Sequence, residues 1–90
     1  GINSLTASLA AELGWRNVRV NGIAPGPTDT DATRSVVPTE YQGALVQSLA
    51  LKRMGTPEDH VGALLFLLSD DAAWVTGQVF SVDGGQIVRL

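Results

Sequence analysis

Ninety residues leave room for one small domain, and 44% hydrophobic against 17% charged residues is rich in apolar material for so short a chain. A formal net charge of -3 with six scattered Lys and Arg excludes a nucleic-acid surface, which needs clustered cations. The lack of cysteine excludes disulfides, thiolate metal sites and a cysteine nucleophile. VGALLFLL, residues 61–68, falls far short of the ~18 apolar residues of a membrane span. No signal-peptide pattern is present, so the expectation is a soluble cytoplasmic protein without nucleic-acid or membrane partners. Gly1 heads a stretch that already reads as helix, and the apolar balance suits one piece of a larger fold.

In INSLTASLAAELG, Ile2, Leu5, Leu9 and Leu13 recur at helical spacing, with Gly14 as a left-handed cap and no good cap before Ile2. Val18, Val20 and Ile23 then mark a strand that is apolar almost throughout, as a parallel strand covered on both faces would be. Pro25 cannot donate to a ladder and ends it. A polar loop is expected to about Pro38, followed by a helix over residues 40–51 capped by Thr39. Thr56, Pro57 and the acids Glu58 and Asp59 announce a further helix running to about Leu68. Its residues after Val61 are apolar on most sides, which predicts deep packing. A short turn near Ser69 or Asp70 leads to a second strand over residues 78–82, closed by Asp83-Gly84-Gly85. Two strands joined by a helical crossover form a parallel βαβ unit, and two parallel strands need further strands elsewhere.

The stretch past the first strand carries the chemistry. Ligands of open α/β sheets sit beyond the carboxyl ends of strands. Gly26 lets a ligand approach the backbone, Pro25 and Pro27 stiffen the path, and Thr28 and Thr30 offer hydroxyls to amide or phosphate oxygens. A loop held only for structure needs the same residue types, so spacing alone leaves both readings open.

The string VRVNGIAPGPTDT closely resembles the segment that follows the catalytic Tyr and Lys of short-chain dehydrogenases/reductases. Their pattern there is Val-Asn-x-Ile-x-Pro-Gly with Thr four residues after the Gly, met by Val20, Asn21, Ile23, Pro25, Gly26 and Thr30. GINSLTASLAAELG is similar to the helix after the Tyr and Lys, KRMGTPEDHVGALLFLLSD to the family's Arg-x-Gly-x-Pro-Glu-Asp helix entry, and VTGQVFSVDGG to its terminal strand. The resemblance covers nearly the whole chain. It implies an α/β fold, a partial Rossmann-like doubly wound sheet, with residues 1–90 as the C-terminal half of such an enzyme and part of a single NAD(P)-binding domain.

It further implies that Pro25, Gly26 and Thr28 line the nicotinamide end of NAD or NADP. The backbone at Thr28 would meet the carboxamide, and the Thr30 hydroxyl would help hold carboxamide or phosphate, a positioning role. Asn21 would either tie the loop to neighbouring strands or touch coenzyme. The parent would exchange hydride with a small carbonyl or alcohol substrate and assemble as a homo-oligomer, tetramer or dimer, with Val79, Phe80 and Val82 near a subunit contact. Residues 32–52 would be the variable substrate lid. The family's Gly-rich loop, ribose selector, catalytic Ser and Tyr-x-x-x-Lys pair do not occur here; Tyr41 is followed four residues on by Leu45. The piece alone is therefore expected to be inactive and to hold no catalytic residue.

Other patterns are weighed against this. Asp29, Asp31, Thr33 and Glu40 match positions of a calcium loop, but Arg34 stands where that loop requires Gly. His60 is either a catalytic base or a partly exposed helix residue. Trp15 and Trp74 suit packing better than stacking platforms, and Asp83-Gly84-Gly85 is a chain-reversing turn or a phosphate grip. The competing overall reading is a non-catalytic structural or interaction module that keeps the scaffold.

Overall fold

A computed structural model of the chain describes residues 1–86. Its elements run α1 (Ile2–Leu13), β1 (Gly22–Pro25), α2 (Asp31–Val36), α3 (Thr39–Ser48), α4 (Val61–Leu68) and β2 (Val79–Val82). Strands β1 and β2 pair in parallel. Two compact units are distinguished, Gly1–Ala24 with Gly62–Ser81, and Pro25–Val61 with the segment from Val82.

In the first unit α1 buries Thr6 and Ala10, and the Thr6 hydroxyl is satisfied by donating 2.8 Å to the Ile2 carbonyl. Gly14 is not the left-handed cap that its residue type suggests: at φ -60° it continues into a 3-10 turn, Gly14–Arg16. The reversal falls on Asn17, φ 61°, whose short amide side chain tolerates that region. The strand is also shorter than Val18 and Val20 led one to expect. Side chains replace ladder bonds before it begins. The Val20 N–H donates to Thr76 Oγ1 at 3.0 Å, while Asn21 donates to the Val75 carbonyl at 2.8 Å and accepts from the Gln78 N–H at 3.1 Å. Backbone rungs join Gly77 N–H to Val20 O at 2.7 Å and Gly22 N–H to Gln78 O at 2.8 Å. Arg19 closes the end of α4 by donating to the Leu67 and Ser69 carbonyls at 2.8 and 3.3 Å, a cation where the helix leaves oxygens unpaired.

Deep packing of α4 does not occur. Leu67 is its buried residue, while Leu64, Leu65, Phe66 and Leu68 are exposed. An all-round apolar helix needs cover on every side, and a two-stranded sheet offers cover to one. No helix among the described residues is long and apolar enough to cross a membrane.

In the second unit the expected polar loop contains helix α2, because the Thr30 side chain accepts the Thr33 N–H and starts a turn. Helix α3 begins on Thr39 itself, after Pro38, and stops at Ser48. Leu49 leaves the helix in extended geometry, and among the described residues it is the largest fully buried side chain. Burying it outweighs prolonging a weakly amphipathic helix. The expected continuous helix from Pro57 instead starts as a 3-10 turn, Pro57–His60, that feeds α4.

Candidate functional site

The bend after β1 lies in the second unit. Its first rung is the Gly26 N–H donating to the Val82 carbonyl at 3.0 Å. A Cβ on Gly26 would stand 2.6 Å from both Cα and Cβ of Asp83, so this position is bare for a packing reason before any ligand is considered. Asp83 opens the following turn: its Oδ1 accepts the Gly85 N–H at 2.9 Å, and Gly84 and Gly85 take φ of 65° and 78°. Their carbonyls accept from Leu51 and Ala50 at 2.8 and 3.2 Å. Asp83-Gly84-Gly85 is thus a chain-reversing turn docked on residues 50–51.

Beyond Gly26 the backbone runs extended past Gly55. Gly55 donates to the Pro27 carbonyl at 2.9 Å and accepts the Asp29 N–H at 2.8 Å, a parallel bridge centred on Thr28. In a parallel bridge the central residue turns its own polar groups to the opposite edge. Accordingly, among the described residues neither the Thr28 N–H nor its C=O has a hydrogen-bond partner. The Thr28 hydroxyl donates back to the Gly26 carbonyl at 2.9 Å and lies 2.9 Å from His60 Nε2. A hydroxyl has one hydrogen, and the carbonyl takes it. The imidazole must therefore donate from Nε2, and in a neutral ring that leaves Nδ1 without the proton. That ring nitrogen is buried and has no partner among the described residues.

Thr30 caps α2, and its Oγ1 also lies 3.0 Å from Thr33 Oγ1. If Thr33 donates in that pair, the Thr30 hydrogen stays available to a ligand oxygen. Pro25 is exposed at the end of β1. The bend thus brings Pro25, Gly26, Thr28 and Thr30 onto one short path, with backbone groups of Thr28 and the hydroxyl of Thr30 as its donors and acceptors.

Charge frames both flanks. Arg53 grips Asp59 with two guanidinium nitrogens, at 2.7 and 3.0 Å, and Asp59 Oδ2 also accepts the Thr56 N–H at 2.7 Å. The Arg53 hydrogen bonds, then the Thr56 backbone bond, hold the Asp59 carboxyl well below the ordinary aspartate range. On the other flank Arg34 binds Asp29 at 2.6 Å and also Asp31, and these bonds raise its pKa, Asp29 contributing most. Two of the three carboxylates singled out by the calcium-loop spacing, Asp29 and Asp31, are therefore engaged with a guanidinium.

The sequence did not reveal the pairing of Thr28 with His60, which lie 32 residues apart; no periodicity could have signalled it. Tyr41 is 62% exposed on α3, and Trp15 and Trp74 are exposed too, so the tryptophans are not the packing anchors expected among the described residues. A cleft of about 540 Å³ belongs to the first unit, lined by residues such as Arg19, Asn21, Leu64 and Leu67. It gathers no cluster of titratable groups.

The chain matches, over residues 1–86, the family model described as Enoyl-(Acyl carrier protein) reductase. It is 62% identical over 89 residues to an uncharacterised oxidoreductase of Mycobacterium tuberculosis, covering 99% of this chain and 36% of that protein. Against the 7alpha-hydroxysteroid dehydrogenase of Escherichia coli it is 44% identical over 86 residues, 96% of this chain and 34% of the relative. Among solved structures, a short-chain type dehydrogenase/reductase from Mycobacterium ulcerans matches with TM-score 0.88 at 42% identity, covering 94% of this chain and 31% of that one. A blue fluorescent protein from a metagenomic library, in complex with NADPH, matches with TM-score 0.86 at 36% identity, 97% and 34% covered. A 4-hydroxyisoleucine dehydrogenase mutant complexed with NADH and succinate matches with TM-score 0.85 at 36% identity, 94% and 35% covered. These likenesses bear out the α/β, Rossmann-type fold. The chain spans about a third of the length of the relatives it matches.

Proposed function

Because the chain belongs to the short-chain dehydrogenase/reductase family, we propose that it is the C-terminal part of an NAD- or NADP-dependent oxidoreductase acting on a small carbonyl or alcohol. Pro25, Gly26, Thr28 and Thr30 line the nicotinamide end of the coenzyme. The observation that carries this reading is the pair of unpartnered groups on Thr28, an N–H and a C=O side by side at the carboxyl end of a parallel strand. A carboxamide presents the complementary acceptor and donor, and a strand end is where open α/β sheets bind ligands. Bound NADPH and NADH in the two similar structures support the choice of coenzyme.

When bound, the nicotinamide supplies the hydride chemistry. Residues of this chain position it: the Thr28 backbone fixes the carboxamide and thereby the ring face turned to substrate, and the Thr30 hydroxyl donates to carboxamide or phosphate oxygen. Residues 32–52 form the substrate lid, consistent with the exposed Val36 and Tyr41. The protein works as a homo-oligomer, and the acid/base groups come from outside these 90 residues.

Titration of the full-length protein carrying this chain with NADH and NADPH, followed by nicotinamide fluorescence, tests the reading. One coenzyme should bind with a micromolar-range Kd, and Gly26→Val should weaken it by about a hundredfold, because displacing the bend moves the carboxamide contacts. Coenzyme binding that is indifferent to Gly26→Val would overturn the assignment, and no binding at all would favour a non-catalytic module.

A further inference from the structure

The bend holds a residue that the proposed chemistry does not use. His60 closes the 3-10 turn Pro57–His60, and its Nε2–H donates to the Thr28 hydroxyl at 2.9 Å. That hydroxyl in turn donates to the Gly26 carbonyl at 2.9 Å. The chain of donation runs one way, from imidazole to hydroxyl to backbone, because the carbonyl can only accept. A free threonine hydroxyl would choose among rotamers and water; taking its lone pair with a fixed N–H leaves it one rotamer. Together with the Gly55 bonds to Pro27 and Asp29, this fastens Thr28 along one edge while its N–H and C=O stay open on the other.

The turn that carries His60 is itself clamped. Asp59 accepts from Thr56 N–H and from both terminal guanidinium nitrogens of Arg53, so the imidazole starts from a fixed backbone. The second ring nitrogen supports a role specific to this bond. Nδ1 is buried without a partner among the described residues, which is a cost that a purely apolar side chain would avoid.

We propose that His60 is a positioning residue for the coenzyme: through Nε2–H and the Thr28 hydroxyl it sets the backbone of residues 26–28, and so the affinity for the nicotinamide end, without touching the coenzyme. The proposal rests on the reading of this bend as the nicotinamide contact.

The test is made on the full-length protein carrying this chain. His60→Ile, close in bulk but without a donor, should raise the coenzyme KM and Kd about fivefold to tenfold, the size expected for one lost hydrogen bond in a partly buried site, while kcat stays within about twofold. His60→Gln, which keeps a donor near the same reach, should recover most of the affinity. Thr28→Val should reproduce the loss, and the double variant with His60→Ile should be no worse than either single one, since both remove the same bond. In the wild type, the ¹⁵N shifts of His60 should show Nε2 protonated and Nδ1 not. Multiplying losses in the double variant, an Nδ1–H tautomer, or unchanged coenzyme affinity in His60→Ile would each overturn the proposal. If His60→Ile does not fold, His60→Gln and Thr28→Val probe the bond from its two ends, and the tautomer is read on the wild type. Gly26→Val separates the two levels. If it abolishes coenzyme binding while the His60 and Thr28 variants leave it unchanged, the bend keeps its function and His60 loses its role; if it too leaves binding unchanged, the reading of the bend fails.

Discussion

The two units hold their backbones by different chemistry. In the first, an amide and a guanidinium join the hydroxyls of Thr6 and Thr76 in tying down main-chain groups: Asn21 replaces a ladder rung and Arg19 closes the end of α4. In the second, hydroxyls and carboxylates do the work: Thr28 on His60, Thr30 on Thr33, Asp59 between Arg53 and Thr56, Arg34 on Asp29. The first set contains no carboxylate. The second contains the Asp59 carboxylate, which its bonds to Arg53 and the Thr56 N–H hold below the ordinary aspartate range, so it responds to acid and salt. The contrast separates a scaffold, whose polar groups serve only to finish secondary structure, from a bend whose polar groups are arranged around one residue, Thr28.

The strongest way to break this contrast is at Gly26. A valine there meets Asp83 in place of empty space, so urea denaturation of the full-length protein should show a loss of about 3 kcal/mol, together with coenzyme binding weakened about a hundredfold. Next comes Asn21→Ala in the scaffold. It leaves the Val75 carbonyl and the Gln78 N–H without their partner and should cost about 2 kcal/mol in the same assay, with coenzyme Kd changed less than about threefold. A large change in Kd with unchanged stability would place Asn21 in the binding site and erase the distinction between the units.

A smaller effect sharpens the comparison through pH. Asp59 is held below the ordinary aspartate value of 3.8 by Arg53 and the Thr56 N–H, so the unfolded chain binds a proton more readily than the folded one. Its contribution is fully present above that ordinary value and is lost as pH falls through the lowered folded value. Asp59→Asn should therefore flatten the stability profile below pH 3.8, leaving the wild type with the steeper acid decline. Equal slopes for the two proteins would remove the acid sensitivity assigned to this unit. Smallest of all, Arg34→Gln touches an exposed pair, and thermal melts should show a slight loss at low salt that vanishes at about 1 M NaCl.

The bend was legible in the sequence because its logic is local. Pro25 is the last residue of β1, with one rung from the Gly26 N–H still following it, and Thr56 with Pro57 and Asp59 starts a helical turn within a few residues. Where longer-range competition decides, the sequence pointed elsewhere. Gly14 is the better left-handed residue by type, yet the extra 3-10 turn moves the reversal to Asn17. Leu49 continues a helical pattern, yet burial pulls it out of α3. Val18 and Val20 read as strand, yet their neighbours' side chains occupy the places of ladder bonds.

By itself the sequence determined the order of helices and strands apart from α2, the parallel pairing and the position of the bend, since apolar spacing, proline and capping act within a turn or two of the chain. Tertiary structure alone decided that Asp83 fills the space beside Gly26, that Gly55 lies against Thr28 and that His60 reaches its hydroxyl. Those contacts join residues about 30 to 60 positions apart, and such pairs meet only when burial and backbone hydrogen bonding fold the chain back on itself.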